Sequence, residues 1–149
     1  MLDNLLITNA SELVTCSGFK AKRGREMSDL HIIVDGAVYI QNGTIQMVGT
    51  TEQVLGQVDK SDCSIVDASG KAVLPGFVDS HTHFVFGGYR AEEFSWRLRG
   101  DSYMEIMQRG GGILNTVAAT RAASDEELTK AGLKRLDSML AFGAVSYTH

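Results

Sequence analysis

Residues 73–86 read VLPGFVDSHTHFVF, and no other stretch restricts the possible folds so sharply. After the break at Leu74-Pro75-Gly76, apolar residues occupy both alternating sets of positions. A strand with one wet face alternates apolar and polar residues, whereas one apolar on both faces belongs in a parallel sheet covered on both sides. Covering layers need helices, and helical signals follow. Ser102 and Glu105 form a capping-box pair opening YMEIMQR, which stops at Gly110-Gly111-Gly112. Ser124 and Glu127 form a second, opening DEELTKAGLKRLDSMLAF. Leu128, Leu133, Leu136 and Leu140 fall at helical spacing along it, and Gly143 stands where a C-terminal cap belongs. A new apolar segment, AVSY, then begins. Strand, helices and strand make the opening unit of a parallel α/β fold. One such unit cannot cover both faces of its own strand, so the sequence predicts an incomplete sheet in this half.

The preceding residues read as β. NLLIT is a short strand, and SGFKAKRGREMSD is an exposed loop. Asn42-Gly43 lies between alternating runs and suits a type I′ hairpin turn, in which both central residues need positive φ. That register sets Val38 opposite Met47 and Ile40 opposite Ile45 on one buried face, with Tyr39, Gln41, Thr44 and Gln46 on a wet one. The expectation is a small sandwich or barrel. We place the division at residues 1–72, part of a small β domain, and 73–149. With 44% hydrophobic residues the chain can bury a core, and its net charge of -4 gives no reason to expect nucleic acid or an anionic membrane as partner. No apolar run approaches the ~20 residues that cross a bilayer. The N-terminus MLDNLLITNASEL lacks a basic region and does not read as a secretory signal. Cys16 and Cys63 form no framework and read as buried thiols in a reducing cytoplasm.

His81 and His83 are the residues with chemistry. In a strand, positions i and i+2 share a face with Cα atoms ~6.5–7 Å apart. Two imidazoles so placed can converge on one cation at ~2.0–2.1 Å from each ring nitrogen. The competing reading is two satisfied histidines at a strand end, or one core histidine and one exposed. The Pro-Gly entry and the Gly87-Gly88 loop beyond favour the metal site, because C-terminal strand ends hold the chemistry in (β/α)8 barrels. Asp79, one step earlier on the same face, either orients the histidines or accepts a hydrogen bond at the strand end. Gly110–Gly112 is followed by no lysine at phosphate-loop spacing, so it reads as a helix stop with tight packing. Phe94, Trp96 and Leu98 are expected to pack the helix after the loop.

LPGFVDSHTH resembles the first barrel strand of the amidohydrolase superfamily, whose HxH motif supplies two metal ligands. Within that superfamily, DSHTHFVFGGYRAEEF and DSYMEIMQRGGGILNTVAATRAAS are similar to the imidazolonepropionase family. The resemblance runs to about Gly143. It implies a mixed α/β chain in which a β-sandwich-like segment precedes the first βα unit of a (β/α)8 barrel, left incomplete. It implies His81 and His83 as ligands to one divalent metal, Zn or Fe, and Arg90 as the holder of a substrate carboxylate. Arg90 also reads as a surface arginine paired with Glu92 or Glu93. Tyr103 is a further substrate-binding candidate or a packed helix aromatic. The implied substrate is imidazolone propionate, hydrolysed by a cytoplasmic enzyme that is a homodimer when full length. His31 and the terminal His149 match no downstream ligand position, and the acid–base residues are expected beyond this chain. The ending GAVSYTH departs from the family's second strand, as a truncation or frameshift would make it, so the chain as it stands is expected to be inactive. The alternatives are another amidohydrolase, such as a nucleobase deaminase, and a non-catalytic metal-binding or interaction module.

Overall fold

A computed structural model describes residues 4–148, so His149 lies outside the described residues. The chain divides into two compact units, Met1–Pro75 and Gly76–His149.

The first unit is built on one long strand, β1 (Asn4–Val14), which is paired along both edges. Antiparallel β2 (Ile32–Gln41) lies on one side and carries β3 (Thr44–Thr50) at its far edge. On the other side run β4 (Cys63–Asp67) and the short β5 (Ala72–Val73), both parallel to β1. These described residues form a single five-stranded sheet, where a sandwich-like segment was expected. A helix, α1 (Thr51–Leu55), follows β3 through a Thr50–Gln53 capping box.

The Asn42-Gly43 turn forms as expected, with φ of 51° and 77°. Ile40 pairs with Ile45 and Gln41 with Thr44, but an irregularity after Tyr39 shifts the rest by one. Tyr39 therefore opposes Met47, and Val38 opposes Val48. The expected wet face is covered at Tyr39, while Gln41, Thr44 and Gln46 are exposed as expected and Ile45, expected on the buried face, is exposed too. Leu6, Ala37 and Val54 form one buried cluster, against which Tyr39 and Met47 pack. Ala10, Leu13, Val38 and Ala68 form another, joined by Ile7 and Ile40. Successive residues of a strand point to opposite faces, so Leu6 with Ile7, and Ala37 with Val38, show a sheet covered on both sides. A bulge in β1 between Ile7 and Ala10 makes room for α1. There Asn9 adopts a φ of 60°, and its N–H donates to the hydroxyl of buried Thr51 at 3.0 Å. The thiols differ from expectation: Cys16 is exposed in the turn after β1, held by the Cys16 N–H to Leu30 carbonyl bond, and Cys63 is only half-buried.

In the second unit, β6 (Phe77–Asp79) and β7 (Ala144–Tyr147) pair in parallel, with four helices between them in sequence. These are α2 (Ala91–Leu98), α3 (Tyr103–Gln108), α4 (Ile113–Ala122) and α5 (Asp125–Ala141). Both expected capping boxes form, at Ser102–Glu105 and Ser124–Glu127. Gly143 takes a φ of 85° just past the end of α5. The inward face of α5 is corrected: Leu128, Gly132, Arg135 and Met139 are at least half-buried, while Leu133 and Leu140 stand exposed. Phe94 and Leu98 are likewise exposed rather than packed, and only Trp96 of that set is half-buried.

Candidate active site

The apolar run expected to form one strand to Phe86 is regular only over three residues. His81 and His83 therefore sit just past the strand end instead of within it. The parallel pairing nonetheless continues loosely, since the Thr148 N–H donates to the Asp79 carbonyl at 2.8 Å and the Thr82 N–H to the Thr148 carbonyl at 3.4 Å. Asp79 accepts a hydrogen bond at the strand end, its Oδ1 taking the His81 N–H at 3.1 Å where the chain enters the histidine segment.

The two imidazoles meet with ring centroids 5.2 Å apart and planes at 82°. Two rings bound tetrahedrally to one cation at ~2.1 Å would have centroids on the order of 5 Å apart, so the pair fits two positions of a metal's donor set. Among the described residues no group of three or more His, Cys, Asp and Glu could hold a metal. A catalytic zinc takes about three protein ligands plus an open position. Two imidazoles alone would fill only part of such a set.

Beyond His83 the loop folds back towards the helices. Phe84 is buried, with its ring edge-on to Tyr147 at 4.5 Å. The Gly87 N–H donates to Thr120 Oγ1 at 3.0 Å, and a Cβ on Gly87 would lie 2.6 Å from the Ala119 carbonyl oxygen. Only glycine lets the loop approach α4 so closely. A cavity of about 360 Å³ opens here, lined by His83, Val85, Phe86, Tyr89, Arg90, Ile113 and Thr116. His83 and Arg90 both line it, in a wall that is mostly apolar with a few polar groups, the usual character of a small-molecule site. Tyr103 does not line it and is exposed in the first turn of α3.

Arg90 pairs with Glu93 across one turn at 3.6 Å. Glu93 in turn accepts the Gly112 N–H at 2.9 Å on its other oxygen. A Cβ on Gly111 would lie 2.7 Å from Ile106 Cγ2 and 3.0 Å from Glu93 Oε1, which is why the glycine run packs there. Arg135 was not marked by any sequence pattern. Its guanidinium donates to the carbonyls of Phe84 and Phe86 and to the Tyr89 hydroxyl. An isolated arginine on a helix gives no local signal that it reaches a loop 46–51 residues away.

Residues 64–134 match the amidohydrolase family. A curated imidazolonepropionase from Clostridium tetani is 54% identical over 143 residues, covering 96% of this chain and 34% of the relative. Another, from Parabacteroides distasonis, is 57% identical over 142 residues, covering 95% and 34%. The chain is a relative of the imidazolonepropionases. It spans about a third of the length of the imidazolonepropionases it matches, and the likeness is to hydrolases. Among solved structures, a triazine hydrolase variant superposes with a TM-score of 0.63 at 17% identity, over 97% of this chain and 28% of that one. Guanine deaminase from Bradyrhizobium japonicum superposes at 0.56 with 21% identity, over 98% and 29%. These two likenesses are of fold alone.

Proposed function

We propose that these residues contribute the first metal ligands and the carboxylate anchor of an enzyme that hydrolyses the imidazolone ring of 4-imidazolone-5-propanoate to N-formimino-L-glutamate. The observation that carries the reading is the shared cavity of His83 and Arg90, in a chain half identical to imidazolonepropionases. In this reading residues 1–72 are part of a small β domain, and residues 73–149 begin a (β/α)8 barrel of a cytoplasmic homodimer.

His81 and His83 would hold one divalent cation, Zn or Fe, with ligands from residues outside this chain. When bound, that cation polarises the ring carbonyl and acidifies a water. Arg90 offers a planar fork that pairs with a propionate in two hydrogen bonds. Its pairing with Glu93 keeps the fork at the cavity before substrate arrives. Phe86 and Tyr89 supply apolar wall against the ring and limit the water around it. With the tail fixed, the ring carbonyl is held towards the histidines, and positioning of this kind lowers the entropic part of the barrier. Water adds to the ring carbonyl, the ring C–N bond breaks, and the freed nitrogen takes the proton. Tyr103 would contact substrate only from outside the described cavity. The 149 residues alone, with two ligands and no acid–base group assigned, would not turn substrate over.

The test is a steady-state assay on the full-length product of the gene that encodes these residues, with imidazolone propionate as substrate. Arg90→Ala is expected to raise KM about 10- to 100-fold, as loss of ~1.4–2.8 kcal/mol of charge-assisted binding requires. An unchanged KM removes Arg90 from the site. Turnover of a neutral nucleobase in place of the carboxylate substrate would assign the cavity to a deaminase.

A further inference from the structure

We infer that Arg135 is a positioning residue that fixes the distance between the histidine pair and Arg90 by clamping the loop that joins them. This deepens the functional reading above and rests on it. One guanidinium nitrogen donates to the Phe84 carbonyl at 2.7 Å and the Phe86 carbonyl at 2.9 Å, and Nε donates to the Tyr89 hydroxyl at 3.1 Å. The guanidinium carbon also lies 3.7 Å from the centre of the Phe86 ring and 4.8 Å from that of the Tyr89 ring, the two rings standing edge to face. Every one of these contacts falls between His83 and Arg90, and two of the contacted residues line the cavity. A charged donor shared by two carbonyls and set against two aromatic rings ties backbone and side chains together. Lysine has the charge but neither the fork nor the plane, so it cannot reproduce this set. Arg135 does not line the cavity, and acts through the loop.

The experiment is a double-mutant cycle on the full-length gene product, comparing Arg135→Lys, Arg90→Ala and the double variant, with metal content and thermal midpoint measured alongside. Arg135→Lys is expected to raise KM for imidazolone propionate about 10-fold, corresponding to ~1.4 kcal/mol, with bound metal unchanged. In the Arg90→Ala background the same substitution is expected to do almost nothing to KM, because the group it positions is gone. Equal KM effects in both backgrounds would overturn the inference and leave Arg135 a stabilising residue only. Should Arg135→Lys not fold, Tyr89→Phe removes one clamp bond and carries the same prediction at smaller size. A readout without turnover separates this inference from the functional reading. Amide exchange over residues 84–90 should quicken in Arg135→Lys whatever the enzyme acts on, and unchanged exchange would overturn the clamp. Inactivity of the wild-type enzyme on imidazolone propionate, with quickened exchange, would overturn the substrate and keep the clamp.

Discussion

The two units bury their apolar residues to different extents. In residues 1–75 the described sheet is covered on both faces around β1, by two clusters built around Leu6 and Val38, while Val34, Ile45 and Ile65 stand exposed. In residues 76–149, Phe84 and Ile106 are the buried large apolar residues among those described, while Leu133, Leu140, Phe142 and Val145 stand exposed. The difference follows from strand count. A five-stranded sheet can be closed over by its own helix and loops, whereas a two-stranded parallel pair leaves both edges and most of its helices without partners. The proposed site lies in the less covered unit, whose loops are held by polar clamps such as Arg135 and Glu93 in place of a deep core.

Paired truncations give the largest test of that contrast. Leu6 is 0% exposed and Leu133 57%. Leu6→Ala is expected to cost about 2–5 kcal/mol, while Leu133→Ala should stay within about 0.5 kcal/mol. Urea unfolding followed by far-UV circular dichroism measures both. The single tryptophan, Trp96, lies in α2 and reports on the second unit by fluorescence. Equal costs for the two substitutions would mean that the face around Leu133 is covered in solution, and the contrast would break.

Glycines sharpen the comparison with effects of opposite sign. A Cβ on Gly36 would lie 2.3 Å from Leu13 Cβ, which the backbone fixes, so Gly36→Ala should destabilise by about 1–3 kcal/mol or more. On Gly132, inside α5, a Cβ meets only Val85 Cγ2 at an ordinary 3.6 Å. Gly132→Ala should therefore stabilise the helix by about 0.5–1 kcal/mol. Thermal midpoints of the two variants should move in opposite directions. A fall in both would show that α5 packs as tightly as the sheet.

What could be read from the sequence was local, and what could not was distant. The Asn42-Gly43 turn and the two Ser–Glu capping boxes are written within four residues, and each forms. The register beyond Tyr39 was missed because a bulge depends on what packs on each face, here Met47 against the cluster of Leu6 and Val54. Leu133 and Leu140 share helical spacing with Leu128 and Leu136, so periodicity alone could not say which leucines find partners within these residues. At the site, the HxH spacing marks the histidines, but apolar content on both faces does not by itself imply regular pairing, and the strand ends at Asp79. α4, like Arg135, went unmarked: its N-terminus follows a glycine with no side-chain cap, so it carries no start signal.

The smallest effect concerns pH and the helix starts of the second unit. Glu127 accepts the Ser124 N–H at 2.8 Å and the Ser124 hydroxyl at 2.9 Å. The backbone bond first, then the hydroxyl, holds its carboxyl below the usual glutamate range. Glu105 is lowered in the same way, with the Ser102 hydroxyl leading. A carboxyl lowered on folding favours the folded state only while ionised. Its stabilisation is complete above the ordinary glutamate value and is lost as pH falls through the lowered one. The first turns of α3 and α5 should therefore loosen in acid, below about pH 4, while the capping bonds persist at neutral pH. Ser124→Ala should weaken α5 at pH 7 by about 0.5–2 kcal/mol and bring the Glu127 titration back to the ordinary range. Glu127→Gln, which can still close the box, should keep much of the helix start and remove its pH dependence. Carbon chemical shifts of residues 125–128, followed between pH 7 and pH 2, read all three. A Glu127 titration in the ordinary range in the unsubstituted protein would mean that the box is open in solution, and the polar bonding that compensates for the second unit's thin core would be weaker than its geometry indicates.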